Sequence, residues 1–381
     1  MARRSGMTSR ASARNPAYSQ GIELGAADCH VANRASRPEQ EVRKPPLTCD
    51  GPARRHAFAA ADDMFRGGRG AHTPADASTA EHARRRRPRA TLGGMETDPQ
   101  NPKVPKVIVI TGGSDGIGAA AARALAHRGH QVVLVGRSPD KTAAIAAELD
   151  CDAHVADFAH LGQVRQLAAE LSGRYPRIDV LANNAGLIAD NRRTVTDDGH
   201  ELTFQVNHLA PFLFTTMLHD QLAAAHGAVI TTSSVAGTSR SARIVLDDLD
   251  MNDRYNAMHA YQASKLANVL FTRELARRWG PDGVSSAAFH PGLVRTQWGH
   301  SGPAAVRLFT TSPFRRVMRS PERGADTLVW LATTTPGTDW QSGGYHANRR
   351  PAKPHASAAD HALASGLWDR STEAVARQAN R

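Results

Sequence analysis

The chain has 381 residues, enough for two domains by length, and carries a net charge of +11 with 22% charged side chains. The charge is lopsided, because residues 1–94 hold 17 Lys or Arg against nine Asp or Glu, while the remainder holds 30 against 27. The basic pI thus describes a tail and argues for no nucleic-acid partner; no stretch reaches the roughly 18 apolar residues of a membrane span, and three scattered Cys suggest neither a disulfide framework nor a metal site.

Residues 1–94 are rich in Arg, Ala, Gly, Pro and Ser, with a bare charge run at Arg84–Arg87 and no sustained periodicity. Such a segment buries too little apolar area to offset chain entropy, so the expectation is a disordered basic extension. Met95 stands just before the first apolar run, and initiation there would give 287 residues, so a misplaced start is one reading of the extension. An organelle presequence is the competing one, since residues 1–22 hold four Arg, several Ser and no acid. The catalytic domain is expected over 95–381. The sparse Cys fit a reducing compartment, and the expected location is cytoplasmic.

From residue 106 onward, strand and helix patterns alternate. Apolar β-branched runs predict strands at 106–110, 131–135, 152–155, 178–182, 227–232 and 284–289, with a short one near 343–346. Helical patterns lie at about 116–129, 139–149, 160–173, 200–225, 256–279 and 321–333. This alternation predicts an α/β fold: one doubly wound parallel sheet with helices on both faces.

The first strand feeds into Thr111-Gly112-Gly113-Ser114-Asp115-Gly116-Ile117-Gly118 and then an Ala-rich helix. Glycines in a strand–turn–helix context let the backbone approach a pyrophosphate, whose charge suits the helix N-terminus. The second strand ends at Gly136-Arg137, with Lys141 one turn on. An NAD enzyme usually places an acid there for the ribose hydroxyl; a guanidinium instead suits a 2′-phosphate. The plain alternative is an exposed Arg at a strand end.

Ser233 and Ser234 close the fifth strand, and either could polarise a substrate oxygen. Asp248-Leu249-Asp250-Met251-Asn252 opens like a calcium loop, but Asp253 and His259 stand where Gly and a bidentate Glu are needed, so a solvated acidic loop is expected. Tyr261 and Lys265 are four apart on a helix and share a face. An ammonium beside a phenol lowers the phenol's pKa, which predicts a general acid/base usable near neutral pH. Only six of the 47 basic residues are Lys, so a Lys here runs against the chain's preference for Arg.

The glycine turn, Asn183-Asn184-Ala185-Gly186, Asn207, Ser234, and Tyr261 with Lys265 occur in an order that resembles the short-chain dehydrogenase/reductase family over residues 105–300. The wording Asp198–His208 and Ser264–Asn268, with Leu367-Trp368 near the C-terminus, is similar to its retinol-dehydrogenase-like branch. The resemblance implies Tyr261 as proton donor or acceptor, Lys265 as its partner, Ser234 on the substrate oxygen, and Asn207 holding a relay water. It also implies that Thr111, Gly112, Ser114, Asp115, Gly116, Ile117, Gly118, Arg137, Asn184, Ala185, Gly186, Pro291, Gly292 and Thr296 serve the cofactor, along with Tyr261 and Lys265. Asp157 would meet the adenine amino group or cap a helix. For Asn207 the alternative is a buried Asn satisfied against backbone. Tyr261 follows Ser234 at more than the family's usual gap, so an insertion over about 238–255 is expected near the substrate entrance.

The implied protein is an oxidoreductase using NADP(H) on a small-molecule alcohol, ketone or aldehyde, with a homodimer as an option. Trp298, Leu308, Phe309 and Phe314 hint at an apolar substrate. The rival reading is a non-catalytic nucleotide sensor on the same fold; four intact site residues argue against it.

Overall fold

Short Val- and Ile-rich runs cannot bury both faces alone, so they assemble side by side and are covered by the helices between them. The computed structural model describes residues 105–294 and 318–376. Its chain order begins β1 (Val107–Thr111), α1 (Gly116–Ala126), β2 (Gln131–Gly136), α2 (Pro139–Leu149), β3 (Asp152–Val155), α3 (Leu161–Arg174) and β4 (Val180–Asn183). A helical run, α4, covers 202–217 and includes a π-helical stretch at Gln205–Leu209. Then come α5 (His219–Ala224), β5 (Ala228–Thr232), α6 (Ala257–Trp279), β6 (Ser285–Phe289), α7 (Pro321–Thr333), β7 (Gly344–Ala347), β8 (Arg350–Pro351) and α8 (His361–Ala376).

The sheet order is β3-β2-β1-β4-β5-β6-β7-β8, which is the doubly wound topology. Every pairing is parallel except β7 with β8, a two-residue antiparallel edge that no apolar run announces. The 200–225 pattern also divides: the chain breaks at Leu218 between α4 and α5.

Side-chain alternation along the strands sorts the interior into two layers. Val109, Val133, Leu181 and Val229 face α3, α4, α6 and α8. Ile108, Ile110, Leu134 and Ile230 face α1 and α7. In the first layer, Trp368 of α8 lies edge-on to Phe212 at 5.0 Å and stacks on Phe271 at 5.8 Å, while Arg278 sits over its ring. The reversal of strand order between β1 and β4 opens a crevice at the C-terminal ends of these strands. Among the described residues, the glycine turn, the 184–186 segment, Asn207, Ser234, Tyr261 and Lys265 lie at that end of the sheet.

Candidate active site

The turn after β1 has room only for glycine at key points. Gly112 and Gly116 adopt φ of +65° and +51°, a region that side chains disfavour. At Gly118 a Cβ would collide with the carbonyl of Gly112. Asp115 caps α1, its Oδ1 accepting from Gly116 N at 2.7 Å. Thr111 ties this turn to the end of β4: its Oγ1 accepts from the backbone N–H of both Asn184 and Ala185 at 3.0 Å. The Asn184 side chain returns a bond to Thr111 O at 3.0 Å. The end of β4 is thereby fastened against the glycine turn.

At the end of β2, a Cβ on Gly136 would strike Thr142 Oγ1 and the Ser114 side chain. No acid fits at this position. Arg137 is exposed and makes no hydrogen bond or ion pair among the described residues. Lys141, the second basic candidate, is instead engaged by Asp115 at 2.7 Å. Asp157 does not cap α3 itself, whose N-cap is His160; its Oδ1 accepts from Ala159 N at 3.0 Å and shapes the turn before the helix.

The second half of the site is assembled by α4, the end of β5 and α6. Asn207 sits in the π-helical stretch, where the widened turn aims its side chain at the 184–187 loop. Its amide pairs with Leu187 as a strand neighbour would: Oδ1 accepts from Leu187 N at 2.7 Å, and Nδ2 donates to Leu187 O at 2.9 Å. The same Nδ2 donates to Ser264 Oγ at 3.0 Å. A Cβ on Gly186 would lie 3.0 Å from Asn207 Oδ1 and 3.2 Å from Lys265 Nζ, so the loop passes directly over both. Lys265 Nζ donates to Thr232 O at 3.1 Å, and Asn268 Nδ2 donates to the same carbonyl at 3.2 Å.

The two serines separate by role. Ser233 Oγ donates to Lys265 O at 2.7 Å and fastens α6 to β5. Ser234 caps the short turn Val235–Thr238, its Oγ accepting from Ala236 N at 3.2 Å, which leaves its O–H to donate. That hydroxyl meets Tyr261.

Tyr261 and Lys265 are both buried, and Lys265 Nζ lies 5.8 Å from the Tyr261 ring centroid. Burial pushes the phenol up to about 12, with the Ser234 hydrogen bond pulling the other way. Burial pulls the Lys265 ammonium down to about 8. The phenol's shift is opposite to what the Tyr–Lys spacing predicts, because desolvation of both groups exceeds their mutual attraction.

On the far side, Pro291-Gly292 makes the expected turn, with Gly292 at φ +81° and the Arg319 side chain packed where a Cβ would go. Thr296 and the candidate substrate-contacting aromatics at 298–314 lie outside the described residues. The insertion is tied down by Arg193, which donates to Asp250 O at 3.0 Å, and by His200 against the Asp250 carboxylate. Asp248 spends its oxygens on Asn252 and Asp253 within its own turn. A cavity of about 280 Å³ lies between this loop and His259 and Ala263 of α6. Those residues are on the helix face opposite Tyr261 and Lys265, so it is separate from the crevice. Sequence reasoning gave no site role to Ser264, Asn268 and Tyr345, which contact Asn207, Thr232 O and Ser234 O; Ser264 and Asn268 bound the branch-like wording around Lys265, while Tyr345 carries no motif signal.

This constellation on this sheet is that of a nicotinamide-nucleotide oxidoreductase, and the chain belongs to the short-chain dehydrogenase/reductase family, which uses NAD(H) or NADP(H). The model of that family, described as short chain dehydrogenase, matches residues 106–246. A Streptomyces sp. (strain C5) protein named for daunorubicin C-13 ketoreductase activity is 46% identical, over 71% of this chain and 92% of its own. Human retinol dehydrogenase 13 is 37% identical over 72% of this chain and 86% of its own, which places the chain in the retinol-dehydrogenase-like branch. A crystal structure of an uncharacterised Mycobacterium paratuberculosis protein superposes with a TM-score of 0.57 at 30% identity, covering 71% of this chain and 93% of that one. Among the described residues, no helix is long and apolar enough to cross a membrane.

Proposed function

We propose that the protein reduces an apolar ketone or aldehyde, or oxidises the matching alcohol, with NADP(H) as cofactor and Tyr261 as general acid/base. The observation that carries the reading is the convergence of the Ser234 and Tyr261 hydroxyls beside Lys265 at the mouth of a glycine cradle. Gly112, Gly116 and Gly118 let the turn close tightly against Asn184 and Ala185 at the N-terminus of α1, a bare-backbone turn of the kind a dinucleotide's pyrophosphate approaches, so the residues present suit a dinucleotide. When bound, that cofactor supplies or accepts the hydride.

The protein's own part is placement and proton handling. Ser234 donates to the substrate oxygen where negative charge develops. Tyr261, protonated at neutral pH, gives its proton to that oxygen in the reductive direction. Lys265 holds a positive charge beside both. Asn207, locked by Leu187 and Ser264, keeps the floor of the site rigid and offers the relay position. Arg137 supports NADP(H) over NAD(H): it is unpaired among the described residues, and Gly136 excludes the acid that a ribose hydroxyl would prefer. The apolar substrate is supported by Val235, Met258 and Leu293, large side chains left exposed beside Ser234, Tyr261 and Gly292. Relatives named for a polycyclic ketone and for retinol agree with it. The scattered Cys support a cytoplasmic location.

A panel of aryl ketones, aldehydes and alcohols, followed by NADPH absorbance, tests the activity. In the same assay Tyr261→Phe is expected to lose at least about 100-fold in turnover while its NADPH affinity stays within about twofold. A variant keeping a tenth of the activity would remove Tyr261 from the role.

A further inference from the structure

Tyr345 lies on β7, two strands away from the serine it reaches. Register sets it level with Ala288 of β6, which in turn is level with Thr231 of β5. Because Ala288 is small, the Tyr345 ring crosses over it and packs on Val269. Val269 is one turn beyond Lys265 on α6. The Tyr345 hydroxyl then donates to Ser234 O at 3.3 Å. That carbonyl also receives Gly237 N at 3.0 Å, while Ser234 Oγ receives Ala236 N. The ring edge on the other side faces His290, whose centroid is 5.7 Å away, at the start of the Pro291-Gly292 turn.

We propose that Tyr345 is a positioning residue that holds Ser234 so that its hydroxyl points at Tyr261 and the substrate oxygen. The inference rests on the oxidoreductase reading above and adds a residue that no motif of the chain marks. Three features make the contact suited to this task. The ring is buried and wedged against α6, so it moves with the helix that carries Tyr261 and Lys265. Burial, and after it the neighbouring Tyr261, hold its phenol well above the ordinary tyrosine range against the opposing effect of the Ser233 side chain, so it remains a donor. Its acceptor is the backbone of Ser234 itself, and a shift of that peptide would swing Oγ away from Tyr261. Such small misplacements are costly in turnover.

Tyr345→Phe keeps the ring and deletes only the donor. With 9,10-phenanthrenequinone and NADPH, the variant is expected to lose about tenfold in kcat, with KM for NADPH unchanged. In a Ser234→Ala background the same change should cost nothing further, because there is no hydroxyl left to aim. A second arm needs no turnover: with carbon-13 at tyrosine Cζ, the Tyr261 resonance at pH 7 reports its hydrogen bond to Ser234. That resonance should move by the same amount in Tyr345→Phe, Ser234→Ala and the double variant. A Tyr261 signal unmoved by Tyr345→Phe, or losses that multiply in the double variant, would overturn the assignment. Wild-type protein inactive on the quinone would count against the oxidoreductase reading alone, and the resonance arm would still decide the role of Tyr345.

Discussion

At the scale of single residues, burial moves the two central groups in opposite directions: Tyr261 up to about 12 and Lys265 down to about 8. Each charged form has lost its water, and neither partner fully replaces it. The consequence is directional. A phenol with this pKa is fully protonated at pH 7, and of the two groups the first to change state on raising pH is Lys265. Its folded pKa lies below its ordinary 10.5, so the ammonium is present below about 8 and is lost above it. The kcat/KM for NADPH, which reports groups of the free enzyme, should therefore be level through neutrality and fall above about pH 8. A decline beginning only above pH 10 would mean that Lys265 keeps its charge in the free protein. The residue scale also shows where spacing misleads. The i, i+4 relation between Tyr261 and Lys265 was legible and correct as geometry. Their pKa values were not, because burial depends on α4, β5 and the 184–187 loop, none of which the motif contains.

At the scale of elements, the turn from β2 into α2 carries the proposed preference for NADP(H). Gly136 has no space for a side chain, Lys141 is engaged by Asp115, and Arg137 is the basic side chain proposed to meet a 2′-phosphate. Arg137→Ala is expected to weaken NADPH binding by about tenfold or more and NADH binding by less than twofold, read by fluorescence titration of each cofactor. Equal losses would show that Arg137 does not see the phosphate. The sequence supplied Arg137 and Lys141 as a pair; the Asp115 contact that removes Lys141 spans the glycine turn and α2 and could not be read from spacing. In α4 the Asn207 side chain replaces a strand partner for Leu187, and this explains a poor helix former inside a long helical pattern. The π-helical stretch around it has no single-residue signature. In α8, Trp368 fills the space between Phe212, Phe271 and Trp279. Trp368→Ala is expected to cost about 3 kcal/mol in urea unfolding, with catalytic constants little changed since its contacts on α6, Phe271 and Trp279, lie beyond Lys265 toward the C-terminal end of that helix. A loss under 1 kcal/mol would mean that the helix is only loosely seated.

At the scale of the whole molecule, the composition break near residue 95 precedes a described fold whose first strand begins at Val107. We propose that residues 95–381 hold the catalytic domain and that residues 1–94 are a dispensable basic extension. Chain 95–381 is expected to melt within about 1.5 °C of the full chain, a difference below about 1 kcal/mol for a domain of this size, and to bind NADPH equally well. A much lower melting temperature or lost binding would place the boundary wrongly. What the sequence by itself determined was the class of fold and the family, and it supplied the glycine turn, Asn207, Ser234, Tyr261 and Lys265 as candidates, because periodicity and short motifs are local and survive in one dimension. Only the tertiary structure decided that Ser233 is spent on Lys265 O, that Lys141 is engaged by Asp115, the direction of the phenol's shift, and the reach of Tyr345 across β6. Each of these depends on what a neighbouring strand or helix places within a hydrogen bond's length. In this chain those neighbours are tens of residues away.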